Sequence, residues 1–189
     1  MNMKENFNTY IDHINPDFWR DLCVKEGRLH HYERGDEFAR IGEVARYIGY
    51  IKSGTMKYVA YGPDGTEHVV GMEFEGEFVA DYPFSLFGTK TMVSIIAVTP
   101  CDIYRFPVRN VVRLMNDNVK IKDIVLCSAS AVFHTVYSRY IDLHCKTPMQ
   151  RYDELMTRHP DIFQHFPLKD IASFLNITPV HLSRIRKNK

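Results

Sequence analysis

The chain has 189 residues, 45% hydrophobic and 25% charged, which excludes wholesale disorder and suits one large domain or two small ones. Twenty-four basic residues against 23 acidic give a formal net charge of +1, which excludes a uniformly basic surface for nucleic acid or anionic membrane. No apolar run approaches the ~18 residues of a membrane span, and the polar stretch 1–15 has no signal-peptide core, so the expected compartment is the cytoplasm.

In chain order, residues 5–26 read as helical. Phe7, Tyr10, Ile11 and Ile14 recur at three or four, then Pro16 opens a second turn carrying Phe18, Trp19, Leu22 and Cys23, and Gly27 closes it. All ten glycines lie between Gly27 and Gly88. They punctuate short β-rich runs at 47–51, 56–61, 67–72, 92–98 and 102–106. Pro63-Asp64-Gly65 supplies a hairpin turn, since proline presets one dihedral and glycine permits the other. Short strands at this spacing predict an antiparallel sandwich or barrel.

After Pro107 there is no glycine. Residues 108–115 form a short helix candidate, and 119–144 a long one, roughly 38 Å at 1.5 Å per residue. Its stripe of Ile121, Ile124, Val125, Ser128, Val132 and Thr135 repeats at three and four and is expected to pack on the β domain or on a second copy of itself. Thr147-Pro148 is a cap-and-start signal for the next helix, and His159-Pro160 and Phe166-Pro167 break the chain twice.

The last segment reads as two short helices around a tight turn. Ile171 and Leu175 bury one face of the first, and Ala172 lets the second cross close over it. Asn176 tolerates the left-handed backbone of a sharp turn. Thr178 caps the second helix, Pro179 takes its first position, and Leu182 and Ile185 face inward. This is a helix-turn-helix pattern, in which the second helix enters the major groove and flanking cations hold phosphates. Charge agrees. Residues 146–189 hold eight lysines and arginines against four acidic residues, a balance of +4 that leaves −3 for the rest.

A glycine-punctuated β-roll, a long helix and a C-terminal helix-turn-helix together resemble the catabolite-activator/Fnr (Crp/Fnr) family of bacterial transcription regulators. Arg34-Gly35-Asp36, residues 50–56 (YIKSGTM) and residues 74–79 (FEGEFV) resemble turns of the family's roll, and residues 147–151 (TPMQR) its lead into the DNA module. The resemblance implies an α+β fold: an N-terminal antiparallel β-roll (jelly roll) with flanking helices, a long dimerisation helix, and a small all-α DNA-binding domain. It divides the chain into a sensor at 1–145 and a DNA module at 146–189. It further implies a homodimer on a near-palindromic operator, contact with RNA polymerase, and a small-molecule effector. The DNA-binding residues become Lys169, Thr178, Pro179, Val180, His181, Ser183, Arg184, Arg186 and Lys187. Of the base-reading positions of well-known members, only Arg184 is retained, and the family's β-wing has no counterpart before the sequence ends.

The effector pocket falls on Ala80, Asp81, Tyr82, Lys90, Thr91 and Met92, where family members that bind cyclic AMP carry a phosphate cassette. No arginine lies between Arg46 and Arg105, so the bidentate partner of a cyclic phosphate is missing and cyclic AMP is not expected. An iron–sulfur cluster is not expected either, because Cys23 stands alone near the N-terminus. The four dispersed cysteines and nine histidines show no metal-ligand spacing, and no metal site or other cofactor is read. A cupin-type enzyme would need clustered histidines, and His68 is alone in the strand region after His31; the chain is not expected to be an enzyme. The alternative is a ligand- or protein-binding roll that no longer binds DNA.

Overall fold

The computed structural model describes residues 6–188. Residue 5 of the first expected helix and Lys189 of the basic tail lie outside the described residues. Two four-stranded antiparallel sheets stack face to face. One has the order β1 (Arg28–Tyr32), β8 (Cys101–Pro107), β3 (Tyr47–Ser53), β6 (Phe78–Val79). The other has β2 (Glu37–Ala39), β7 (Ser94–Ala97), β4 (Met56–Tyr61), β5 (Glu67–Glu73). Ile51, Met56, Val79, Ile95 and Ile103 are fully buried between the sheets. The expected β-roll is the one found. Turn chemistry explains its hairpins: Gly65 takes φ +80° in the β4–β5 turn, and Asp64 accepts the Thr66 N–H. Gly54 takes φ +93° between β3 and β4, and a Cβ there would sit 2.5 Å from the Pro100 carbonyl.

Among the described residues seven α-helices accompany this roll. The first expected helix divides at Ile14: residues Thr9–His13 form a 3-10 turn, and α1 (Pro16–Glu26) follows, capped by the Asn15 side chain. Its Trp19, Leu22 and Cys23 pack on the outer face of the first sheet with Ile48 and Phe106. The same cluster takes Val108 and Val111 of α2 (Val108–Asp117) and Val125 of α3 (Val119–Cys145). Next come α4 (Pro148–Arg158), started by a Thr147/Gln150 capping box, and α5 (Ile162–His165). Last are α6 (Leu168–Phe174) and α7 (Pro179–Lys187). Among the described residues no helix is long and apolar enough to cross a membrane.

The stripe of α3 packs within its own chain, on the roll and the N-terminal segment, which is one of the two packings its spacing allowed. Val125, Ser128 and Thr135 are buried, while Ile121, Ile124 and Val132 are half-buried. The reason is the N-terminal segment. Trp19 Nε1 donates to Ser128 Oγ at 2.9 Å, and the Thr9 and Thr135 hydroxyls meet at 2.9 Å, so the polar positions of the stripe find partners within the chain. The opposite face of α3 is open. Leu126, Phe133 and Tyr140, seven residues apart, are 54%, 67% and 58% exposed, with Tyr137 stacked beside Phe133.

The C-terminal helices do not hang free of the roll. Tyr152, Ile162, Phe166, Ile171, Ala172, Leu175 and Leu182 share one core with Phe7, Val69, Met72 and Phe74. Asp170 of α6 is buried against Lys57 of β4, with Nζ and Oδ2 3.1 Å apart. Ser173 Oγ accepts the Val69 N–H of β5 at 2.9 Å. Removing one partner of a buried ion pair strands the other charge, whereas replacing both with apolar groups does not. Asp170→Ala should therefore cost about 3 kcal/mol in urea unfolding, and Lys57→Met/Asp170→Leu should recover most of it. Equal losses in both variants would contradict a coupled pair.

Candidate nucleic-acid interface and effector pocket

The geometry of α6 and α7 follows from six residues. Asn176 adopts φ +53°, the one positive φ outside glycine among the described residues, and turns the chain between the helices. Thr178 accepts the His181 N–H at 3.2 Å, and Pro179 occupies the first helical position of α7. Ala172 is fully buried beneath the crossing, with Leu182 and Ile185 packed inward. This leaves Thr178, Pro179, Val180, His181, Arg184, Arg186 and Lys187 exposed, with Ser183 half-buried and Lys169 exposed on α6. The candidate reading face is thus brought together on one helix. Arg186 departs from the rest, since its guanidinium lies 4.0 Å from the Phe163 ring centre and is held against its own chain. Asp170, the one acidic residue of α6 and α7, is turned inward to Lys57, so the charged groups these helices expose are all basic.

Arg151, which the sequence offered only as part of a family motif, proves central. Its guanidinium donates to the Leu175 carbonyl at 3.1 and 3.2 Å and to the Lys146 carbonyl at 2.6 Å. One side chain therefore ties the helix-turn-helix corner to the end of α3, and satisfies carbonyls that the helix ends leave open.

A cavity of about 260 Å³ lies between the roll and α3. Trp19, Tyr58, Phe78 and Tyr82 supply aromatic walls; Glu73, Asp81 and Arg139 supply the charges. Three of the six expected pocket residues, Ala80, Asp81 and Tyr82, line it. Lys90, Thr91 and Met92 do not, which corrects that half of the sequence expectation. Lys90 pairs by backbone with Val44 on the surface, Thr91 is bonded to its own loop at the Val93 carbonyl, and Met92 is 75% exposed. The Tyr82 hydroxyl donates to the Val125 carbonyl of α3, linking the pocket wall to the helix.

At the cavity edge is a buried polar cluster that no sequence signal marked. Asn8 Nδ2 donates to Glu73 Oε2 and Glu77 Oε2, both at 2.7 Å, and Tyr10 donates to Glu73 Oε2 at 3.0 Å. Arg139 of α3 donates to Asn8 Oδ1 at 2.7 Å and to the Phe7 carbonyl at 3.1 Å. Burial raises both carboxyls above their usual range, and the neighbouring Glu77 charge lifts Glu73 further, so Glu73 is the member that keeps its proton. Burial also raises the Asp81 carboxyl.

Comparison with known proteins fits this geometry. Residues 29–118 match the cyclic nucleotide-binding domain family. The matched stretch takes in the strands of the roll and α2. No curated protein sequence matches the chain. Among solved structures, FixK2 from Bradyrhizobium japonicum aligns with a TM-score of 0.74 at 14% identity, covering 86% of this chain and 83% of that one. A candidate Crp/Fnr-family transcriptional regulator from Eubacterium rectale aligns with a TM-score of 0.71 at 15% identity, covering 96% and 86%. A candidate cAMP-binding regulatory protein from Silicibacter pomeroyi aligns with a TM-score of 0.64 at 25% identity, covering 89% and 78%. The shared fold runs through the roll, α3 and the C-terminal helices.

The cluster makes stability pH-dependent with a definite sign. With its carboxyl raised, Glu73 keeps a proton in the folded state at pH values where the unfolded chain has lost it. Stability therefore falls as pH rises from the ordinary glutamate range toward the raised value. Glu73→Gln keeps an acceptor for Asn8 and Tyr10 and cannot ionise. Its urea midpoint should fall less than the wild type's as pH rises above the ordinary glutamate range. Parallel pH profiles would contradict the assignment.

Proposed function

We propose that the chain is a sequence-specific DNA-binding transcription regulator of the Crp/Fnr type, acting as a homodimer under a small effector. Residues 1–145 serve as sensor and 146–189 as DNA module. The observation that carries the reading is the exposed face of α7: a capped helix presenting Val180, His181, Arg184 and Lys187, with the nearby acid buried. Arg184 suits a guanine edge and Val180 a thymine methyl, while Lys169, Thr178 and Lys187 suit phosphates. Pro179 sets the start of the helix, and Arg186, stacked on Phe163, steadies it.

The cavity favours an effector without an anionic group. Its one guanidinium, Arg139, is already engaged by Asn8 and faces the Glu73–Glu77 pair, so a phosphate there would meet carboxyls without a free bidentate partner. Aromatic walls and a volume of about 260 Å³ suit a compact, largely apolar molecule. That size lies near the lower end of the roughly 300–1,000 Å³ usual for ligand pockets.

The open face of α3 supports the dimer. Leu126, Phe133 and Tyr140 repeat every seven residues, the period of a two-stranded coiled coil. Phe133→Glu should give a monomer in light scattering with unchanged circular dichroism; a persistent dimer would place the interface elsewhere.

For DNA, duplexes selected from a random pool at low salt should be retarded in gels. Arg184→Ala should weaken binding to the selected sequence by about 1–3 kcal/mol and relax one base position. Lys187→Ala should lower the salt dependence by about one phosphate contact. Failure to retard any duplex at low salt would support the alternative of a roll that has lost DNA binding.

A further inference from the structure

Where α4 ends and α5 begins, His159, Asp161 and His165 bring three ligand atoms within 4.8 Å of one another. Local sequence explains the meeting. His159 is the residue that closes α4, Pro160 follows it, and Asp161 is the residue before α5. His165 follows Asp161 by four residues, one helical turn, on the same face. Asp161 stands between the two imidazoles: His159 Nδ1 is 2.8 Å from Oδ1, and His165 Nε2 is 3.7 Å from Oδ2. Two donors on a tetrahedral zinc ion, each about 2.0–2.1 Å from the metal, lie about 3.3 Å apart, so these separations bracket the spacing a metal would set.

The rings are also held in place from outside the cluster. His159 stacks on Phe74 of the roll at 4.0 Å between centroids, and His165 meets the same ring edge-on at 5.8 Å. Phe7 packs edge-on to His159 at 6.2 Å. An aromatic collar of this kind limits water and fixes ring orientation, as an outer shell does around a metal centre.

We propose that His159, Asp161 and His165 bind one divalent transition-metal ion of the zinc class. Two imidazoles and one carboxylate suit such an ion better than calcium or magnesium, which prefer oxygen-only sets. Three protein ligands leave one position for water. Because His159 is stacked on the β5–β6 turn of the roll, an ion here would stiffen the joint between the roll and the helices that carry α7. That consequence rests on the regulator reading; the binding does not.

The test is calorimetric titration of metal-stripped full-length chain with zinc chloride, repeated with cobalt(II) for its visible spectrum. One ion per chain is expected, with nitrogen–oxygen ligation in the cobalt spectrum. His165→Gln and Asp161→Asn should each weaken binding roughly tenfold or more, with metal-free melting curves unchanged for His165→Gln, whose side chain is 39% exposed. Equal affinity in His165→Gln and wild type would overturn the proposal, as would no saturable binding. A thiolate-to-cobalt charge-transfer band would also overturn it, by moving the ion to the exposed Cys127 or Cys145. A DNA-binding defect measured separately would bear on the regulator reading alone.

Discussion

Asn8 is the tie on which the architecture turns. Its amide nitrogen donates to Glu73, Glu77 and the Met72 carbonyl, while its oxygen accepts from Arg139. Four parts of the chain therefore meet at one buried side chain: the N-terminal segment, β5, the β5–β6 turn and α3. Buried carboxyls are costly unless bonded and discharged. Here one proton, one amide and one guanidinium meet that cost together. Arg139 then reaches past the cluster to the Phe7 and Phe174 rings, 4.8 and 5.4 Å from their centres, so the same network extends into α6.

The long helix is consequently used on two sides. Its inner side carries small and hydroxylated residues because it must lie close along the N-terminal segment, to which Ser128 and Thr135 are hydrogen-bonded. Its outer side carries bulky aromatics that the chain itself leaves uncovered. A helix with apolar residues around most of its circumference shows weak periodicity, and this is why spacing alone left open whether the stripe packs on the roll or on a second chain. Ser128 and Thr135 make intramolecular contacts.

Other features were legible for identifiable reasons. The β4–β5 hairpin carried its own turn chemistry in Pro63-Asp64-Gly65, and the strand at 56–61 was read to the residue. The corner of the helix-turn-helix was legible because Asn176, Thr178 and Pro179 each have one dominant local role. Strands β1, β2 and β6 were missed because they are short or mostly exposed, as with β1, whose first four residues all face solvent. Half of the pocket was lost because linear offset placed Lys90 and Met92 beside Asp81, whereas the loop after Phe87 carries them to the surface. The Asn8 cluster and the Lys57–Asp170 pair join residues 63 to 131 positions apart in sequence, and nothing local announces either.

The Lys57–Asp170 pair has a bearing on how such a chain can evolve. Small helical DNA-binding units are often pictured as interchangeable parts, exchanged between sensors by recombination. Here the C-terminal helices hold a buried carboxylate whose counter-charge belongs to the roll, and a serine that accepts a backbone N–H of strand β5. A graft onto an unrelated roll would inherit a stranded charge and an unbonded strand amide. The two halves can therefore diversify only in step, and successful recombination would have to carry β4 and β5 along with the reading helix.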